Sequence, residues 1–107
     1  MPLWAPWHCW HRIEFTRIDE RGRRHREHVE EHDDHSPYVA GPASYAYVAG
    51  EEYLSREGRP AGERWIVTVW RLDEPGGPPV RRLAQVELRT TVDEVDGMSV
   101  TVVGGHR

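Results

Sequence analysis

Between Arg64 and Asp73 the chain reads RWIVTVWRLD, with apolar side chains on both alternating faces. Trp65, Val67 and Val69 fall on one side; Ile66, Trp70 and Leu72 fall on the other. A strand that is apolar on both sides is covered on both sides, so this segment predicts an interior strand. EPGGPP then breaks the chain. VRRLAQVELRTTVDE alternates cleanly: Val80, Ala84, Val86, Leu88 and Val92 share one face, and Arg81, Gln85, Glu87, Arg89 and Asp93 the other. That pattern predicts a half-buried strand. The turn after it, Glu94 to Gly97, suits a three-residue loop that closes with Gly97 in the left-handed region. The loop would set Glu94 opposite Met98, Val92 opposite Val100, Thr91 opposite Thr101 and Thr90 opposite Val102. A slip of one residue would turn the valines of the last strand to the wrong face.

The front of the chain repeats this logic. WHCWHRIEFTRID, Trp7 to Asp19, places Trp7, Cys9, Ile13 and Phe15 on one face. It runs into DERG, the same acid-x-x-Gly pattern as EVDG. The same loop, with Glu20, Arg21 and Gly22, sets Asp19 opposite Arg23, Thr16 opposite Arg26, Glu14 opposite His28, Ile13 opposite Val29 and Trp10 opposite His32. Phe15 opposite Glu27 is the one poor match. A helix over 23–35 is the rival, because His25, His28, His32 and His35 would form one stripe. Its arginines would crowd the positive end of the helix dipole and its aspartates the negative end. Val29 alone is aliphatic, so the helix would bury almost nothing, and the hairpin is preferred.

The middle, Pro37 to Gly62, points two ways. Pro42 early and Gly58 late suit a helix around 43–56. Gly50 at its centre and the alternation of Tyr45 and Tyr47 suit a short strand near 44–49 instead. The expected architecture is one domain, 1–107, mainly β. It is a small antiparallel sheet or open barrel-like meander of five to six strands, with at most one short central helix (an α+β arrangement is the alternative). Its parts are a Trp-rich arm (1–10), a hairpin (11–35), a loop-rich middle (36–63) and antiparallel strands (64–104).

Composition narrows the chemistry. Of 107 residues, 37% are hydrophobic and 30% charged, a thin apolar supply that favours a partner chain or an oligomer. The formal charge of −4 disfavours nucleic acid, whose binders are basic. No apolar run approaches membrane length, and MPLWAPWHCWHR lacks the basic start of a signal peptide, so a cytoplasmic location is expected. Cys9 is the sole cysteine, which excludes an internal disulfide. Lysine and asparagine are absent, as in a GC-rich bacterial genome. Their absence removes a Walker A lysine, a Schiff base and a kinase-type catalytic loop. No serine sits in a G-x-S-x-G elbow.

Four candidate chemistries remain. With the hairpin register above, His28 and His32 join His8, Glu14 and Trp10 on one face. His8, His28 and His32 would then be a three-ligand set for zinc or another divalent metal, against the alternative of a solvated polar face. In HCWH, strand alternation turns His8 away from Cys9 and His11, so the three do not converge. Trp4, Trp7 and Trp10 recur every third residue beside Pro2 and Pro6, as on one side of a polyproline helix, and suit docking on a protein partner. Glu14 opposite His28 would be a carboxylate–imidazole pair for acid–base catalysis, but no nucleophile or oxyanion hole accompanies it. The expected function is a non-catalytic binding or assembly module, engaging a protein partner or its own copy through the arm and a sheet face, with no cofactor required. A metal-binding protein is the second reading and a small Glu–His enzyme the third.

Overall fold

Each alternating segment becomes a strand, and the ambiguous middle becomes a helix. The computed structural model describes residues 9–34, 37, 41–93 and 97–106, with 9, 34, 92, 93 and 97–106 described by their backbone. The order is β1 (Cys9–Ile18), β2 (Arg24–Asp34), α1 (Pro42–Glu57), β3 (Arg64–Leu72), β4 (Pro79–Asp93) and β5 (Gly97–His106). The strands form one open antiparallel sheet in the order β2-β1-β3-β4-β5. The fold is therefore mainly β, with α1 the one long helix among the described residues, as the pattern predicts. β2 and β5 are the two edges.

β3 lies in the middle and is buried along both faces, with Ile66, Thr68 and Leu72 covered as well as Trp65, Val67 and Val69. The main core lies under α1. It joins Ile13 and Phe15 of β1, Trp65, Val67 and Val69 of β3, and Ala84, Val86 and Leu88 of β4 to Ala46, Tyr53 and Leu54 of the helix. One of the two apolar faces read for β3 (Trp65, Val67 and Val69) and Ala84, Val86 and Leu88 of the apolar face read for β4 join this core, whereas Val80 is exposed at the start of β4.

The helix begins with Pro42 in its first turn, where a missing N–H costs nothing. It ends at Gly58, whose φ of 64° is left-handed; the N–H of Gly58 bonds to Ser55 and that of Arg59 to Leu54. Gly50, the residue that argues against a helix in the sequence, sits directly against β3 and β4. A Cβ there would lie 2.4 Å from Leu88 Cδ1 and 2.8 Å from Val67 Cγ2. The glycine is a packing requirement and not a break, and the alternative of a strand at 44–49 does not form. The stretch expected to be a loop-rich middle is largely this helix.

Both hairpins form, but in registers that differ from those the pattern predicts. In the first, the turn is as expected: Gly22 has φ 80°, Asp19 N–H bonds to Arg23 O, and Thr16 faces Arg26. The register then shifts between Phe15 and Thr16, where β2 carries one residue, Glu27, without a partner. Beyond this bulge Phe15 faces His28, Ile13 faces Glu30, His11 faces His32 and Trp10 faces Asp33. The bulge falls at the one poor match in the uniform register. Expelling Glu27 from its place opposite buried Phe15 removes a carboxylate from the core face, which outweighs one broken rung of the ladder. In the second hairpin the observed pairs are Asp93 with Gly97, Val92 with Met98, Thr91 with Ser99 and Thr90 with Val100, two residues from the expected register. A shift of two keeps every residue on its face, so alternation alone does not distinguish the two registers.

Candidate functional site

α1 lies against β3, β4 and β5 and leaves the β1–β2 end of the same face less covered. A groove of about 320 Å³ opens there. Ile13 forms its floor; Glu30 and His32 line the strand side; Tyr45, Val48, Ala49, Glu52, Tyr53 and Arg56 line the helix side. The residues arrive by simple periodicities. Positions 28, 30 and 32 alternate onto one face of β2, and positions 45, 49, 52, 53 and 56 make one stripe of the helix.

Glu30 is the hub of the strand side. Its Oε2 accepts from His28 Nε2 at 2.9 Å and its Oε1 accepts from His32 Nε2 at 3.0 Å. Arg56 reaches over from the helix to Oε2 at 3.4 Å. Partial burial pushes the Glu30 carboxyl up, but the hydrogen bonds from His32 and His28 and the charge of those imidazoles outweigh it. The carboxyl titrates below its ordinary value. His28 also stacks on Tyr53, with ring centroids 4.9 Å apart and planes within 5°. Phe15 stacks on Tyr53 at 4.4 Å, and Trp65 meets it edge-on at 5.8 Å. Tyr53 thereby ties the groove to the core, and burial raises the pKa of its phenol.

His11 is fully buried at the inner end, with its Nε2 2.6 Å from the Tyr45 hydroxyl. Its ring also lies 5.7 Å from that of His32. Arg71 pairs with His11 across β1 and β3, and its Nε is buried with no hydrogen-bond partner among the described residues. On the helix side, Glu52 makes no hydrogen bond or ion pair among the described residues, although Arg56 follows it by one helical turn.

The sheet's other face is a polar lattice. Glu14 accepts from Trp70 Nε1 at 3.1 Å and from Arg26 at 3.2 Å. Arg12 donates to Glu31 and to Gly77 O, and Glu31 accepts from the Gly76 N–H. These bonds bind the 73–78 loop onto that face.

The expected site residues are thus redistributed. His28 and His32 share a face, but with His11, Ile13 and Phe15 and not with Glu14 and Trp10. The Glu27 bulge causes the exchange. Glu14 pairs with Val29 and lies on the opposite face from His28, so the Glu14–His28 acid–base pair does not exist. His8 lies outside the described residues, and so do Trp4 and Trp7. Among the described residues no three His, Cys, Asp or Glu side chains are grouped to hold a metal ion; the imidazole nitrogens of His28 and His32 are instead each bonded to a separate oxygen of Glu30. Trp10 is half-buried on the polar face, opposite Leu72 and Asp33. Sequence reasoning missed Glu30, Tyr45, Glu52, Tyr53 and Arg56. The H-x-E-x-H spacing from His28 to His32 was the available signal, since a strand places all three on one face.

None of the described helices is long and apolar enough to cross a membrane. No protein-family model matches this chain, and neither a curated protein nor a solved structure is similar to it.

Proposed function

We propose that the protein is a binding module whose helix–sheet groove receives a basic side chain of a protein partner. The observation that carries this reading is Glu52, a carboxylate without an internal partner among the described residues, at a groove floored and walled by Ile13, Val48, Ala49, Tyr45 and Tyr53. A concave site with apolar walls and a few fixed polar groups is the usual form of a ligand seat. The charge inventory favours a cation. Glu30 and Glu52 face one guanidinium, Arg56, which is already engaged by Glu30 and the Tyr53 ring, and the imidazoles of His28 and His32 are likewise taken up by Glu30. The whole chain carries −4, which draws a basic partner and speeds encounter. An arginine or lysine stem would lie along Val48 and Ala49 with its head at Glu52, flanked by tyrosine faces.

Titration of the full chain with a short arginine-containing peptide, followed by amide chemical shifts, tests the reading. Shifts confined to β2 and α1 are expected, with affinity weakened about tenfold by Glu52→Gln, the loss of one charge-assisted bond. Ala49→Phe, which fills the groove, should abolish them. Shifts elsewhere, or binding that survives both substitutions, would reject it.

A further inference from the structure

We propose that two copies of this chain pair edge to edge along β5, antiparallel about a two-fold axis, so that their sheets join into one. The two edges of the sheet differ sharply in chemistry. β2 reads RHREHVEEHDD, with Val29 its one aliphatic residue, and it carries the Glu27 bulge. Charges and bulges are the ordinary means of keeping an edge from pairing with another chain. β5 reads GMSVTVVGGH, ten residues with no Asp, Glu, Arg or Pro. It is the last strand in the sheet order, so one side of its backbone has no strand beside it among the described residues. A long, uncharged edge with three β-branched valines and a threonine is the form that takes another strand.

A second copy is the occupant that the register fits. In a two-fold pair, residue i faces j and j faces i, so the two numbers have a constant sum. The β4–β5 ladder is regular from Gly97 to Val102 and shifts between Val102 and Gly104, leaving Val103 without a partner in β4. Pairing within the regular stretch places Val100 opposite itself at the axis. Ser99 then faces Thr101, and Met98 faces Val102. In the β4–β5 register Met98, Val100 and Val102 stand opposite Val92, Thr90 and Leu88, while Ser99 and Thr101 stand opposite Thr91 and Arg89. Apolar positions therefore meet apolar positions on the helix-covered face, and hydroxyl positions meet hydroxyl positions on the other. β2 offers no such match: about its own centre, Val29, it would set Glu31 against Glu27 and His32 against Arg26 across a bulged ladder, with little apolar surface to bury.

A charge pair placed at Ser99 and Thr101 tests this, because each of these residues faces the other across the axis. The full chain should sediment as a dimer at neutral pH. S99E/T101E puts glutamate opposite glutamate twice, while Arg89 beside residue 101 keeps the single chain supported. It should raise the dimer dissociation constant about tenfold or more. S99K/T101E differs only at residue 99 and makes each cross-axis pair complementary, so it should restore the dimer. A chain that is strictly monomeric at high concentration overturns the proposal. So does a dimer that S99E/T101E leaves intact, or one that S99E/T101E and S99K/T101E weaken equally. Failure here leaves the groove reading standing, since that site lies at the opposite end of the sheet.

Discussion

Gly50 shows how one residue settles the relation between two layers. Its lack of a side chain lets the helix backbone descend onto Leu88 and Val67, both fully buried. Gly50→Ala gains about 1 kcal/mol of helix propensity. It also drives a methyl group into two side chains that have nowhere to go, and overpacking of that kind costs about 1–3 kcal/mol. The expected net outcome is destabilisation, with a melting midpoint lower by several degrees, roughly 4–8 °C per kcal/mol lost at this chain length. A thermal melt of the variant checks it; an unchanged or higher midpoint would mean that the helix rides farther from the sheet. Thr90 makes a similar local decision with a hydroxyl. Buried at 1% exposure, it donates to Pro60 O at 2.7 Å and accepts from Glu63 N–H at 2.9 Å, which ties the loop before β3 to the end of β4. Replacing it would take away the side-chain partner of the Pro60 carbonyl and the Glu63 N–H and loosen that tie.

At the level of elements, the first hairpin is held by carboxylates in charged company. Asp19 is held below its ordinary value by His25, with the Arg23 and Arg21 amides adding to the effect. Glu31 is lowered by the Gly76 amide and Arg12, and Glu30 by the two histidines that outweigh its burial. Glu63, near the start of β3, is lowered by Arg59, which donates two bonds to it. A depressed carboxyl contributes stability that is complete above its ordinary value and is lost as pH falls through the folded value. Unfolding free energy should therefore decline below 4.5, the ordinary value for Glu30 and Glu63. Glu30→Gln should shallow that decline, as denaturant titrations at several acidic pH values would show; an unchanged slope would remove Glu30 from the account. The strands themselves were legible because alternation reports burial directly, and the DERG turn was legible because a left-handed glycine has a sequence signature. The helix was obscured because Gly50 serves packing, which is a tertiary fact. The histidine groove was obscured by a single unpaired residue: past Glu27 every assignment of face in β2 inverts, and only the clash of Glu27 with Phe15 recorded it.

Over the whole molecule, charge and shape act together. Seven histidines on a background of −4 carry the formal charge from −4 to −4 + 7 = +3 when all are protonated. The crossing falls at mildly acidic pH, about 6 by the ordinary histidine value, and solubility should pass through a minimum there. Light scattering across that range checks it, and a monotonic trace would show that net charge does not govern the solubility of this chain. The sheet itself is asymmetric: one face carries the helix and its groove, the other an ionic lattice, one edge is charged and the other is not. The Glu27 bulge has a bearing on how such a molecule changes over generations. Were the spare residue of β2 to sit a few positions later, the same letters would fold into the same strand with His28, Glu30 and His32 turned to the opposite face. A compensated insertion and deletion, silent in composition and nearly silent in length, would thus transplant a whole constellation from groove to lattice. Divergent copies of this chain are best compared by where that spare residue falls, before any column of aligned histidines is given meaning.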